Sequence, residues 1–438
     1  MYLHRKIDAT LEAWASDPRR KPLLLRGVRQ CGKTSAVRHL SEQFDNYVEL
    51  NFEKQVNLRA LFEGDLDIPS ILSKLEVIAE QRVIPGKTLL FLDEVQECPN
   101  AIVALRYFYE DLPDLHVIAA GSLLEFVLSE ERIEFPVGRI RSIYLYPFSF
   151  SEFLEATGQS RLLAYLKNLN AFEEENVFHD KLLESYKTFL VVGGMPEAVS
   201  VYQETQSMFA CQQVHRDILS AFLDDFDKYS AHISSDIIRQ VFEYSIHNIC
   251  KQTKASSAIP GVSAYLFDES VQLLRRAGLV YPVKASPCDT LPLGATEKNA
   301  NKKLLFFDTG VYLTECGLDI TSVLTAEVFS DLNKGDLVEL ATGLELIKNS
   351  NEYKKASLYY WYRTGANAEV DYVITQGTQL VPLEVKASGK GSMQSMYRFL
   401  STHPLASYGV RLSLENFSQY EQIYVYPVYA VCKLKPFS

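Results

Sequence analysis

The sequence predicts an α/β fold built on a parallel sheet, followed by a helical region and then a mixed α/β tail. Three observations carry that prediction. From Pro22 to Ser149 short apolar runs (PLLLRG, NYVELNF, TLLFLDEV, LHVIAAGS and SIYLYPF) alternate with helix-compatible stretches, the pattern of strands covered by helices on both faces. From Ser151 to Lys167, His179 to Phe189 and Met208 to Phe226 the pattern changes to long amphipathic segments. After Gly317 an acidic helix-like stretch carrying Glu339 and Glu345 precedes the strand-like runs SLYYWYR, AEVDYVI, LVPLEVKA and IYVYPVYAV.

At 438 residues, 47% hydrophobic and 23% charged, the chain can bury ordinary cores. Domains of roughly 150 residues suggest three of them. The expected partition is 1–155, 156–317 and 318–438. A net charge of -11, from 44 Lys+Arg against 55 Asp+Glu, excludes a protein that coats nucleic acid or anionic membrane with its whole surface, so any such contact is a local patch. No window reaches the roughly 18 apolar residues of a membrane span; the best, from Val117 to Leu128, is interrupted by Glu125. The start MYLHRKIDATLEAW lacks the apolar region and cleavage site of a secretory signal, so a cytoplasmic protein without a membrane partner is expected. Cys31, Cys98, Cys211, Cys250, Cys288, Cys316 and Cys432 form no CxxC pair, and the eight His show no metal-ligand spacing. Neither a disulfide framework nor a structural zinc site is expected.

Gly27-Val28-Arg29-Gln30-Cys31-Gly32-Lys33-Thr34 fits the phosphate-loop pattern GxxxxGK[ST], with Ser35 next. An apolar strand, Leu23-Leu24-Leu25, precedes it and the helix-compatible SAVRHLSEQF follows, so the context is that of a P-loop NTPase domain. Its glycines let backbone N–H groups face the phosphates of ATP, Lys33 reaches the β and γ oxygens, and Thr34 ligates Mg²⁺. Cys31 reads as a small packing residue within the loop.

Some 60 residues on, the apolar run Leu89-Leu90-Phe91-Leu92 delivers Asp93 and Glu94 to the end of a buried strand. That edge is where ligands bind in open α/β sheets. Asp93 is expected to hold Mg²⁺, and Glu94 to orient and deprotonate the attacking water. The alternative, a carboxylate pair that caps a helix, stays open. Ser122, at the end of the run from Val117, is a candidate to hold the water or the γ-phosphate. Arg139, in PVGRI, is a candidate arginine finger acting in cis or in trans. A surface salt bridge is the competing reading of that arginine.

Within GVSAYLFDESVQLLRRAGLVYPVKAS, Phe267, Val271 and Leu274 recur at helical spacing, and strands follow at 279–283 and 302–308. A helix with a long hairpin has the outline of a winged helix. The groove-facing set on that helix, Asp268, Glu269, Gln272, Arg275 and Arg276, is mixed in charge, and a helix that packs domains together explains it equally. Lys298, Lys302 and Lys303 are the better candidates for DNA phosphates, with a solvated charge run as the competing reading.

Taken together, these residues resemble a family of prokaryotic AAA-type P-loop ATPases whose C-terminal half is a domain of uncharacterised function with a restriction-endonuclease-like tail. The likeness rests on Tyr2 and Arg5, RGVRQCGKT, LDEVQ with Gln96, AGSLLEF, Gly138-Arg139 with YPFSFSEFLE, GGMPEA at 193–198, Asp308-Thr309-Gly310, and WYRTGANAEVDYVI with VPLEVKAS. Two positions depart from the family pattern: Ala120 precedes Gly121 where Thr is usual, and Val311 follows Gly310 where Leu is usual. The resemblance implies ATP-dependent switching coupled to a winged helix and a nuclease-like fold. Asp371 followed by Glu384-Val385-Lys386 resembles the D…ExK core of restriction-type nucleases, where carboxylates bind Mg²⁺ and the lysine helps activate water. Period-two alternation puts Glu369 and Asp371 on one strand face and Glu384 and Lys386 on one face of the next. Glu339 resembles an extra acidic ligand. A structural ion pair of Lys386 with Glu369 or Asp371 is the competing reading.

Three functions are therefore carried forward. They are a Mg²⁺-ATPase that moves its C-terminal half and acts on DNA, a nucleotide-gated binding module without significant turnover, and an ATP-regulated Mg²⁺-dependent nuclease. Each is compatible with a homo-oligomer.

Overall fold

The structure is a computed structural model that describes residues 2–122, 124–125, 136, 138–228, 233–318, 324, 334–363, 368–387 and 393–434, the side chains of 298–300 and 334 excepted. It divides into two compact units. One comprises Met1–Pro147, Arg276–Gly278 and Glu352–Lys355, the other Phe148–Arg275, Leu279–Asn351 and Ala356–Ser438.

In the first unit the five apolar runs become five strands: β1 (Leu23–Arg26), β2 (Asn46–Asn51), β3 (Thr88–Asp93), β4 (His116–Ala120) and β5 (Arg141–Tyr144). They form a parallel sheet in the order β2-β3-β4-β1-β5. β3 and β4 are buried along their whole length, which is why their sequences are continuous apolar runs rather than alternating ones. Helices α1 (Lys6–Ser16), α2 (Lys33–Ser41), α3 (Ile68–Ala79) and α4 (Pro99–Asp111) accompany the sheet. One core gathers Leu24, Val48, Leu90, Leu92 and Val117 from the strands with Ile71, Leu75, Ile102 and Phe108 from α3 and α4.

The second unit opens with α5 (Phe150–Ala156), α6 (Ser160–Asn168), α7 (His179–Val192), α8 (Pro196–Thr205), α9 (Met208–Asp224) and α10 (Ser235–His247). The single amphipathic segment expected from Ser151 to Lys167 is two helices, parted where Gly158 takes φ 76°. Ser149 and Glu152 form a capping box at the start of α5, and Glu345 accepts from the Phe150 N–H at 3.0 Å. The YPFSFSEFLE motif thus fixes a helix start.

A short β6 (Thr253–Lys254) and α11 (Ala264–Ala277) lead to the hairpin β7 (Val280–Ala285) and β8 (Lys298–Phe306). After α12 (Thr309–Glu315) and α13 (Lys334–Lys348) come β9 (Leu358–Tyr362), β10 (Glu369–Gln376), β11 (Gln379–Lys386), α14 (Gln394–Thr402), β12 (Gly409–Ser413), β13 (Ser418–Tyr420) and β14 (Ile423–Pro427). All nine strands belong to one mixed sheet, ordered β13-β14-β12-β11-β10-β9-β7-β8-β6. β7 pairs in parallel with β9, Val283 opposite Leu358, so the hairpin expected as a wing continues the sheet of the tail strands. On α11 the predicted inner residues Phe267, Val271 and Leu274 are buried.

The motifs GGMPEA and Asp308-Thr309-Gly310 meet in this unit. Asp308, fully buried, accepts from the N–H groups of Gly194 (2.6 Å), Gly310 (2.9 Å) and Val311 (3.1 Å). A side chain on Gly193 would overlap that carboxylate. Three orphan donors are satisfied by one buried acid, and only glycine allows the approach.

Candidate nucleotide site

The phosphate-loop pattern lies between the end of β1 and the start of α2. A Cβ on Gly27 would overlap the Leu145 carbonyl oxygen, and Gly32 sits at φ 95° as the residue before α2. Both positions need glycine for physical reasons. Lys33 Nζ donates to the carbonyls of Gly27 (2.9 Å) and Val28 (3.0 Å), so its ammonium turns back over the loop. Cys31 is fully buried with Sγ 3.6 Å from the Leu145 carbonyl, a packing position. A residue outside the pattern braces the loop as well: Arg5 donates to Cys31 O (3.0 Å) and Tyr146 O (2.7 Å). Only family likeness pointed to Arg5 in the sequence, because its partners stand 26 and 141 residues away.

β4 lies between β1 and β3, so the strand ending near Ser122 stands between the loop strand and the strand ending at Asp93. Thr34 Oγ1 is 3.1 and 3.3 Å from the two Asp93 oxygens, and the Asn51 amide donates to Asp93 at 3.1 Å. Burial, and then the charge of Glu94, push the Asp93 carboxyl above its ordinary range. A hydroxyl and a carboxylate at a buried sheet edge are hard oxygen donors and fit Mg²⁺.

Glu94 takes a left-handed backbone conformation, φ 50° and ψ 48°, unusual for a residue with a side chain and a form of strain that concentrates at functional sites. One of its oxygens, Oε2, receives three donors: Gln96 Nε2 (2.7 Å), Ser122 Oγ (3.2 Å) and the Ser122 N–H (3.4 Å). The Gln96 carbonyl oxygen is buried with no hydrogen-bond partner, and a Cβ on Gly121 would overlap it. Any side chain at Gly121 would therefore require the Gln96 amide to move. Thr34 of the loop helix thus meets Asp93, and Glu94 meets Ser122. Arg139 instead donates to Glu110 at the end of α4 (2.8 Å), and both side chains are partly exposed.

The tail residues form a second polar cluster, organised around an unexpected centre. Lys303 of β8, 1% exposed, places its ammonium 2.8 Å from Glu339, 3.5 Å from Asp371 and against Glu369, and 5.3 Å over the Tyr360 ring. The reading of Lys303 as a phosphate contact is corrected: it is an internal counter-charge. Lys302 is likewise taken, paired with Asp268 of α11 at 2.5 Å; the Lys298 side chain lies outside the described residues. Lys386 pairs with Glu384 (2.5 Å) rather than with Glu369 or Asp371, while Asp371 accepts from the Val385 N–H at 2.8 Å. The register of β10 against β9 shifts between Val370 and Val373, the interval that holds Asp371.

Burial costs Lys303 its charge preference, but Glu339, Asp371 and Glu369 outweigh that and hold it firmly protonated. Burial, then Asp371, raise Glu339 well above its ordinary range and push Glu384 up to about 7. Among the described residues, no three of these carboxylates bring oxygens within 4.8 Å of one another. The Lys303 ammonium stands in their midst.

Residues 19–154 match a family model described as an AAA domain. Residues 183–321 and 334–431 match two families described only as domains of unknown function. No curated protein matches the chain. Among solved structures, the Walker-type ATPase PABY2304 of Pyrococcus abyssi is similar at 15% identity, with 72% of this chain and 95% of that chain covered and a TM-score of 0.43. The ORC2 protein of Aeropyrum pernix, in its ADPNP-ADP complexes, is similar at 12% identity, with 78% and 95% covered and a TM-score of 0.36. The family match thus places an AAA domain over residues 19–154, followed by two stretches that match families of unknown function.

Proposed function

We propose that the protein is a Mg²⁺-dependent ATPase whose nucleotide cycle is read out by its second unit. The observation that carries this reading is the state of Glu94, a strained carboxylate at the open sheet edge, oriented by Ser122 and Gln96 beside the Thr34–Asp93 pair. In this reading the loop N–H groups and Lys33 would hold the phosphates of ATP, and Thr34 and Asp93 would hold Mg²⁺, which would supply charge neutralisation there. Glu94 takes the proton of the attacking water. Ser122, bonded to Glu94 at the end of the intervening strand, couples that base to the γ-phosphate end.

For the second unit we infer a binding role in preference to phosphodiester cleavage. Support comes from Lys303, which neutralises Glu339, Glu369 and Asp371 where a nuclease would need an open cation site. A DNA partner remains part of the proposal, contacted by groups other than Lys302 and Lys303. Addition of a panel of single- and double-stranded DNAs to the ATPase assay tests that part: stimulation of turnover supports it.

The nucleotide reading is tested by thermal melting with Mg-ATP. A ligand at 100 times its Kd stabilises the native state by about 2.7 kcal/mol, a shift of several degrees for a unit of this size. Lys33→Ala is expected to remove the shift. An equal shift in that variant refutes the assignment of the loop.

A further inference from the structure

The first unit holds three metal-type donors that neither the nucleotide reading nor the sequence spacing accounts for. His4 lies just before α1, Asp8 in its first turn and His39 in the last turn of α2. One ligand atom of each lies within 4.8 Å of the other two. His4 Nδ1 is 3.6 Å from Asp8 Oδ2, close to the roughly 3.4 Å that separates two ligands bonded at about 2.1 Å to one tetrahedral ion.

Their neighbours fix the three groups in place. Asp8 accepts from the Tyr2 hydroxyl at 2.6 Å and from the Arg5 N–H at 2.8 Å. The Tyr2 ring stacks on His39 at 4.2 Å, and His4 meets His39 edge-on at 5.3 Å. His39 Nδ1 is 3.5 Å from the Glu42 carboxylate, the kind of outer partner that orients a ligating imidazole. Carboxylate and imidazole orientations are thus largely set by the protein itself, which lowers the cost of gathering them around an ion.

Two imidazoles with one carboxylate select a borderline ion of the zinc type over Mg²⁺, which takes oxygen ligands. Exposure of the His4 side chain, 68%, leaves one side open for water as a fourth ligand. We propose that His4, Asp8 and His39 form a binding site for a zinc-class divalent cation that fastens the segment before α1 to the end of α2. The fastening bears on the phosphate loop from two directions. α2 starts at Lys33, and Arg5, between His4 and Asp8, holds the Cys31 carbonyl.

The test uses the full chain stripped of metal with a chelator, then titrated with Zn²⁺ against a chromophoric competitor and, separately, with Co²⁺. One saturable site per chain is expected. His4→Ala and His39→Ala should each weaken binding at least tenfold, since even outer-sphere partners of a metal site are worth 10- to 100-fold. Lys33→Ala, which breaks the nucleotide site, should leave metal affinity unchanged and so separates this proposal from the nucleotide reading. His4 is exposed and precedes the helix, so its variant decides the matter if His39→Ala melts early in chelator. Undiminished affinity in His4→Ala, or a Co²⁺ spectrum dominated by thiolate charge transfer from the free cysteines, would overturn the assignment.

Discussion

The two polar clusters of this protein use similar residues to opposite ends. At the edge of the five-stranded sheet, Asp93 and Glu94 are met by Thr34, Asn51, Gln96 and Ser122, all uncharged, while Lys33 spends its ammonium on backbone carbonyls. Charge there is oriented but not neutralised. At the nine-stranded sheet, Glu339 of α13 with Glu369 and Asp371 of β10 close on the ammonium of Lys303, and Glu384 on that of Lys386. Charge there is consumed within the protein. An edge of the first kind is arranged to gain from a cation and an anionic ligand; in a cluster of the second kind the chain itself already supplies the counter-charge.

The comparison breaks most readily at Glu94. Glu94→Gln preserves shape and the Ser122 and Gln96 contacts but cannot take a proton, so turnover should fall by about 10²–10⁴ with ATP affinity retained. Steady-state turnover and nucleotide binding measured on the same preparation check this. Unchanged turnover would leave Glu94 a structural role and erase the difference between the clusters.

At the other cluster the effect should appear in stability. Lys303→Met retains volume but leaves three carboxylates without their counter-charge, a loss expected at roughly 3–5 kcal/mol. Calorimetry of the full chain should show it with or without Mg²⁺. A variant that binds Mg²⁺ and regains stability in it would mean that the carboxylates are a latent cation site.

The sequence discloses these two clusters unequally, for a physical reason. The loop, Asp93-Glu94 and Ser122 are readable because each is a short local pattern at the end of an apolar run, and a parallel sheet brings strand ends to one edge without further information. The five strands and the α11 face follow from periodicity in the same way. Lys303 is not readable as a counter-charge, since Glu339 is 36 residues away and Asp371 is 68. Seen locally, KKLLFFD is a basic pair before a strand. β12 and β13 escaped because neither SYGVRLS nor FSQY carries a long apolar run, although β12 is buried throughout. His4 and Asp8 show helical spacing, yet their third partner lies on another helix. GGMPEA and Asp308-Thr309-Gly310 stand out as motifs, but the amides that Asp308 satisfies belong to residues 114 positions apart and beside it, a pairing that only the fold creates.

A smaller effect separates the clusters by pH. Burial and Asp371 raise Glu384 to about 7, so the fold prefers its protonated form. The stability it contributes is complete below the ordinary glutamate range near 4.5 and is lost as the pH rises through about 7. The change is on the order of 3 kcal/mol, because a tenfold difference in proton affinity between the folded and unfolded chain is worth roughly 1.4 kcal/mol. Melting temperatures from pH 5 to pH 8 should fall, and Glu384→Gln should flatten that fall. An identical slope in the variant assigns the dependence to another group.

The smallest effect is expected at Arg139, which belongs to neither cluster. Its guanidinium is engaged by Glu110 on an exposed face, so Arg139→Ala should leave the melting temperature unchanged, as for most surface ion pairs. Its kinetic effect depends on geometry. Since Glu110 of its own chain engages the guanidinium, we propose that any role of Arg139 in turnover is played in trans, from a second copy. In that case turnover per chain rises with protein concentration, and Arg139→Ala removes the rise while leaving the dilute-limit rate alone. A concentration-independent rate, identical in the variant, reduces Arg139 to its surface pair, and the neutralising charge at the Glu94 edge then comes from Lys33 and Mg²⁺ alone.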